Sequence, residues 1–225
     1  MITLYSIVLT VSAYLFTRFL AKKYSTPLTS PVFFSTIIII CLLVLSNISF
    51  NEYVPAKSIM TYLLGPATVA LAVPIYKNRD LFKKYFSAAF IGLTFGSVTT
   101  IISAILLARW LNLSKLFILP LTVKSVTVPV ATEIGEIIHG NIPLIAAYVI
   151  ITGMIGAMFG AKLMNLCKIN HPFARGLAVG TISHGIGTAE AVKEGEIQGA
   201  VAGAAMGIAA VLTSFIIPLI IDYIL

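Results

Sequence analysis

Charge is what this chain has least of. Asp, Glu, Lys and Arg make up 10% of its 225 residues, where an average soluble domain carries roughly 25%. With 59% hydrophobic residues, that shortage excludes a soluble globular domain. Cysteine is nearly absent too. Cys41 and Cys167 lie in or beside apolar runs and read as small core residues, which excludes a disulfide framework or a metal–thiolate pair. No metal-ligand spacing, phosphate-binding loop or dinucleotide fingerprint occurs, so neither a metal nor another cofactor is expected. No basic–aromatic patch supports nucleic-acid binding. No acid is placed to orient a histidine beside a serine, which argues against a hydrolase; the chain is read as a non-enzyme. Acidic groups are scarcer than basic ones, 8 against 15, for a net charge of +7. The basic residues sit in short loops, where they set orientation and meet anionic headgroups. The N-terminus lacks a basic leader and a small-residue cleavage site, so 2–16 reads as a retained membrane helix.

What the chain has is long apolar runs. They predict an all-α polytopic membrane protein with seven or eight segments of about 20 residues. The expected spans are 2–17, 31–50, 58–76, 85–108, 142–166, 173–192 and 197–221. A further segment, 116–138, is broken by Pro120, Lys124, Pro129 and Glu133. Gly153, Gly156 and Gly160 line one helix face, and Gly199, Gly203 and Gly207 repeat the device. Such faces let helices approach closely, either within one subunit or between the copies of a homo-oligomer.

Loop charge constrains the topology. Basic clusters at 18–23, 77–84 and 162–175 belong on the cytoplasmic side. Spans 85–108 and 142–166 with one further crossing between them would put the third cluster outside. Parity is restored if 116–138 enters the membrane and returns, as a pair of half-helices broken near Lys124–Pro129. The helices on either side then run in opposite directions, as in inverted-repeat transporters with discontinuous helices. A weak internal match supports a repeat: Ala67-Thr68-Val69 aligns with Val126-Thr127-Val128, and Gly96 with Gly156. The expected organisation is one integral membrane domain, 1–225. Within it, 1–57 forms N-terminal helices, 58–116 a first repeat, 117–175 a second repeat, and 176–225 a His-Gly segment with the C-terminal helix.

Two polar interruptions are the candidate site. In Thr181-Ile-Ser-His-Gly-Ile-Gly-Thr188, Gly185 and Gly187 permit an unwound backbone with exposed N–H groups. Ser183, His184 and Thr188 add side-chain donors. His184 is the natural proton carrier, since its ordinary pKa is about 6.5; the alternative is a buried histidine bonded to a carbonyl. In Lys124-Ser-Val-Thr-Val-Pro129, Lys124 is read as the neutraliser of a carboxylate substrate, as a partner for Glu133, or as a snorkelling cation. Ser125 and Thr127 are hydroxyl donors beside it. Further helix breaks are expected at Gly65, Pro66, Thr68 and Pro129. Arg175 reads as a cytoplasmic anchor, and Glu190, Lys193, Glu194 and Glu196 as a solvated run.

Three stretches carry a family resemblance: Leu64-Gly-Pro-Ala-Thr-Val-Ala-Leu-Ala-Val-Pro74, Lys124-Ser-Val-Thr-Val-Pro-Val-Ala131, and Ala174-Arg-Gly-Leu-Ala-Val-Gly-Thr-Ile-Ser-His-Gly-Ile-Gly-Thr-Ala189. In these the chain resembles the LrgB/CidB family, bacterial membrane proteins first described as holin-like or antiholin-like. The resemblance covers nearly the whole chain beyond the first fifty residues. It implies a role in autolysis and murein hydrolase control, and a small membrane partner of the LrgA/CidA type. Through a plastid glycolate/glycerate transporter and bacterial relatives linked to pyruvate, it also implies a carrier for small 2-oxo or 2-hydroxy monocarboxylates. Plastid relatives fuse an LrgA-like half that this chain lacks. The competing reading is a pore or pore modulator that acts by oligomerising through the glycine faces.

Overall fold

The computed structural model describes residues 2–24, 31–63, 66, 69, 72–77 and 79–224, and among them there is no β-strand. Two compact units divide the chain, Met1–Ala70 and Leu71–Leu225. Four helices are long and apolar enough to cross a membrane: Ile2–Lys23, Phe86–Trp110, Ile142–Leu166 and Glu196–Ile221. Four such helices in one chain make this a multi-pass membrane protein.

The first unit holds α1 (Ile2–Lys23), α2 (Pro31–Leu45) and α3 (Phe50–Tyr62). The buried stripe of α1 is Ser6, Leu9, Ala13 and Thr17, mostly small residues at helical spacing, which let neighbouring helices come close. Hydroxyls join the helices: Thr10 Oγ1 lies 3.0 Å from Tyr53 Oη, and Thr17 donates to the Pro31 carbonyl at 3.3 Å.

The expected spans 31–50 and 58–76 are corrected here. The chain turns at Asn47, where φ is 50°, and α3 starts eight residues early. The cause is a capping box: Ser49 accepts from the Glu52 N–H, while the Glu52 carboxylate accepts from the Ser49 backbone N–H at 2.8 Å. That start signal outweighs the charge-free run as a boundary marker. Of the break expected at Gly65-Pro66-Ala67-Thr68, only Pro66 falls within the described residues; Gly65 and Thr68 lie outside them.

The second unit contains two short helices, α4 (Ala72–Lys77) and α5 (Arg79–Lys84), then α6 (Phe86–Trp110), α7 (Lys115–Thr122), α8 (Val128–Ile137), α9 (Ile142–Leu166), α10 (Pro172–Glu194) and α11 (Glu196–Ile224). Local signals set several boundaries. Asn112 and Lys168 end α6 and α9 in positive-φ turns. Asn141 caps α9 by accepting from the Leu144 N–H at 3.0 Å.

Helix directions follow from which glycines meet which side chains. A Cβ at Gly92 would press on Leu177, and one at Gly96 on Thr181, so α6 runs parallel to the first limb of α10. A Cβ at Gly156 would strike Ser183, and one at Gly153 would meet His184, so α9 runs antiparallel to that limb. Helices α6 and α9 are therefore antiparallel, and Trp110 and Ile142 lie at the same end. The chain between them must leave and return at that end. The expected re-entrant pair is present: α7 and α8 are its limbs, and residues 123–127 its tip.

Helix α10 is a second hairpin. Its backbone leaves helical geometry at His184, with φ 39° and ψ −137°, and there it reverses. Arg175 and Glu194, 19 residues apart, meet at 2.8 and 3.0 Å, and Gly187 abuts Ser183 and Val179. Helix α11 then retraces the inward limb, with Gly176 against Gln198 and Gly180 against Ala202. The inward limb, 172–183, is about 18 Å long at 1.5 Å per residue, a little over half of a ~30 Å hydrocarbon core. The segment at 173–192, expected either to cross or to re-enter, is thus a half-depth hairpin. It opens at the end of the unit opposite Trp110 and Ile142.

Two apolar clusters fill the unit. One joins Ile101 and Ile105 of α6 to Val123, Val126, Ile145 and Ile217. The other joins Leu93 to Ala205 and Ala209. Lys83, Lys84, Lys168 and Arg175 lie at the end where the α10 hairpin opens, against Arg109 and Lys115 at the other. The positive-inside rule makes the first end cytoplasmic.

Candidate functional site at the hairpin tips

The first tip is residues 123–127. Pro129, expected to break a helix, stands instead in the first turn of α8, where its missing N–H costs nothing. Thr127 is the N-cap by position, but its side chain makes no cap hydrogen bond. The N–H groups of this first turn therefore carry the positive end of α8 without a side-chain acceptor from the cap. Lys124 is half-buried beside them. Its ammonium donates to the Thr100 carbonyl and to Ser125 Oγ, each at 3.4 Å. Both contacts are long for a charged donor. Among the described residues no carboxylate pairs with it. Glu133 is exposed on α8 and forms no ion pair there, so of the three roles read for Lys124 the pairing with Glu133 is not made.

The second tip is His184. The sequence assigned the unwinding to Gly185 and Gly187, but neither takes a left-handed φ, and His184 itself takes the turn. Gly187 is needed for space instead, because a Cβ there would strike Ser183. A non-glycine residue at φ 39° is strained by about 1–3 kcal/mol, a condition that gathers at functional sites. The ring is held in place. Nε2 lies 2.9 Å from the Val149 carbonyl, and the missing side chain of Gly153 opens the room for it. A carbonyl only accepts, so Nε2 carries the hydrogen and Nδ1 is left as the acceptor. Thr188 donates to the His184 carbonyl at 2.8 Å, so its hydroxyl offers lone pairs only. Ser183 packs on Gly156, and Gly185 is exposed.

One helix face brings the tips together. Gly92, Gly96 and Thr100 recur every four residues on α6 and form a stripe. The first two positions meet the α10 limb, and the third receives Lys124 from the first tip. Both backbone breaks thus reach the middle of α6 from opposite ends. The sequence pointed to both breaks but missed the stripe, which was legible as i, i+4 spacing of small residues. It also missed Ser97 on the buried side of the same helix.

Arg175 and Glu194 are corrected from anchor and solvated charge to a structural clasp. Arg175 also donates to Asn165 Oδ1 at 2.7 Å and to the Ile169 carbonyl at 2.9 Å, tying the α10 hairpin to the end of α9. Lys193 and Glu190, read as part of a solvated run, pair at the surface at 2.6 Å. Cys41 and Cys167 are free as expected, but exposed instead of core. An apolar cavity of about 60 Å³ beside Phe86, Phe90, Phe173 and Leu177 offers nothing to an anion.

The model of the LrgB-like family matches residues 10–223. The chain is 32% identical over 218 residues to the uncharacterized protein YwbG of Bacillus subtilis, covering 97% of each. It is 32% identical over 215 residues to the holin-like protein CidB of Staphylococcus aureus, covering 96% of this chain and 94% of that one. The uncharacterized protein YxaC of Bacillus subtilis matches over the same shares at 32%. No solved structure matches it.

Proposed function

The chain belongs to the LrgB-like family, and from that premise we propose that it is a carrier for small monocarboxylates of the pyruvate, glycolate or glycerate type, coupled to protons. The observation that supports this best is Lys124: a half-buried cation at a backbone break, without a carboxylate partner among the described residues. Such a group within a membrane segment favours an anion. The substrate carboxylate sits against Lys124, Ser125 and Thr127, where the start of α8 adds its positive end. His184, with Ser183, Gly185, Gly187 and Thr188 around it, faces the same substrate or moves the proton through Nδ1.

The two hairpins supply the gates. One opens toward each end, so moving one tip at a time gives alternating access to a site near the midplane. In place of the halves 58–116 and 117–175 expected from the sequence, the transport repeat in this proposal pairs α6–α7–α8 with α9–α10, two units of the same order and opposite direction. A small LrgA/CidA-type membrane protein is the proposed partner, and control of autolysis the proposed setting.

The competing reading is a pore that oligomerises through glycine faces, in keeping with the holin-like name of the CidB relatives. Against it, Gly153 and Gly156 already pack on the α10 tip and Gly199 on Val192, which leaves Gly160 and Gly207 open. The test is counterflow: protein in liposomes loaded with unlabelled pyruvate, with uptake of labelled pyruvate measured across a pH gradient. Saturable counterflow that disappears in Lys124→Ala supports the carrier. Leakage of unrelated solutes without counterflow overturns it in favour of the pore.

A further inference from the structure

Ser97 is 3% exposed, and its hydroxyl has no hydrogen-bond partner. A buried hydroxyl without a partner is costly, and native structures that keep one commonly reserve it for water, an ion or a ligand. Its position is telling. Leu93, Ser97 and Ile101 lie four residues apart on the inner face of α6. Leu93 belongs to the cluster with Ala205 and Ala209. Ile101 belongs to the cluster with Val123 and Val126 of the first tip. Ser97 is the polar step between these two apolar clusters. The adjoining stripe carries Gly96, against the α10 limb, and Thr100, whose carbonyl holds Lys124. Thr100 Oγ1 donates to the Ser97 carbonyl at 2.8 Å, so the backbone here is already served while the Ser97 Oγ is not. Ser6, also buried and unpartnered, lies in the other unit.

We propose that Ser97 is a specificity-determining residue: its hydroxyl takes the second oxygen, at carbon 2, of a monocarboxylate whose carboxylate is held by Lys124. This rests on the carrier reading above and deepens it. A hydroxyl both donates and accepts, so it donates to a 2-oxo group and pairs with a 2-hydroxy group in either sense. An acid without that oxygen leaves Ser97 as bare as it is in the free protein.

The experiment compares wild type and Ser97→Ala in liposomes, with counterflow of labelled glycolate, competition by acetate, and thermal unfolding of the purified protein. The expected result is an apparent glycolate affinity about tenfold weaker, as for loss of one hydrogen bond. Acetate competition stays unchanged, and the melting temperature is equal or higher, because an unserved hydroxyl has been removed. Unchanged glycolate affinity overturns the role of Ser97 while the carrier stands. A lower melting temperature marks a structural hydroxyl and overturns it too. An equal loss for acetate assigns Ser97 to the carboxylate and overturns the assignment to the second oxygen. Absence of saturable counterflow in the wild type removes the carrier reading and this inference with it.

Discussion

Arg175 and Glu194 stand 19 residues apart in one helical segment and close on each other at 2.8 and 3.0 Å. Along a continuous helix that separation is about 28 Å, so the pair exists only because the chain reverses at His184. The pair closes the base of a hairpin whose apex is the strained histidine, and Arg175 also ties that base to Asn165 and Ile169.

The clasp is therefore expected to matter for stability more than an ordinary surface pair. Arg175→Ala should lower unfolding stability by about 2 kcal/mol, because a partly buried carboxylate and two acceptors lose their donor. Arg175→Lys should recover little, since an ammonium lacks the planar fork. Thermal unfolding in detergent measures both. A lysine variant as stable as wild type would refute the bidentate role.

His184→Gly separates strain from chemistry. Glycine accepts φ 39° without penalty, which offsets the lost bond to Val149, so the melting temperature should stay within a few degrees of wild type. Counterflow should vanish, because the ring is gone. A glycine variant that transports normally assigns the histidine to structure alone.

Glycines should differ by what surrounds them. A Cβ at Gly180 would come 2.7 Å from the Ala202 Cα, which is backbone and cannot swing away. Gly180→Ala should cost up to about 3 kcal/mol, as overpacking does. Nothing lies within 4 Å of a Cβ at Gly160 or Gly207, and alanine there should be neutral or slightly stabilising. Melting temperatures of the three variants decide it.

The hairpins open on opposite faces. In a background with Cys41 and Cys167 replaced, Glu196→Cys should react with an impermeant thiol reagent only from the cytoplasmic side, and Glu136→Cys only from outside. Labelling of both from one side would refute the half-depth hairpin of α10, because α9 and α10 are the segments between the two positions.

Glu52 gives a pH signature. Hydrogen bonds from the Ser49 backbone N–H and hydroxyl hold its carboxyl below the ordinary range. A carboxyl lowered on folding stabilises the folded state above its unfolded pKa of about 4.3, and that contribution is lost as pH falls through the lower folded value. Glu52→Gln should flatten the acid limb of the melting temperature against pH. An unchanged acid limb would show that the capping box does not form in solution.

The chain's own residues were enough for class, for the return of 116–138 and for both polar breaks. These rest on local facts: apolar run length, loop charge, and a lysine or histidine where lipid permits neither without a purpose. The Ser49–Glu52 capping box was equally local, and was passed over because the apolar runs on either side were read as the boundaries. Tertiary structure alone decided that α10 turns back at His184. A Ser-His-Gly sequence can continue as a kinked helix or reverse, and what selects reversal is distant: Gly153 and Gly156 of α9 clear the space for the tip, and Glu194 meets Arg175 at the base. It alone buried Ser97 without a partner and set Thr100 against Lys124. Burial and pairing belong to the helices that close around a residue, and no window of sequence around it contains them.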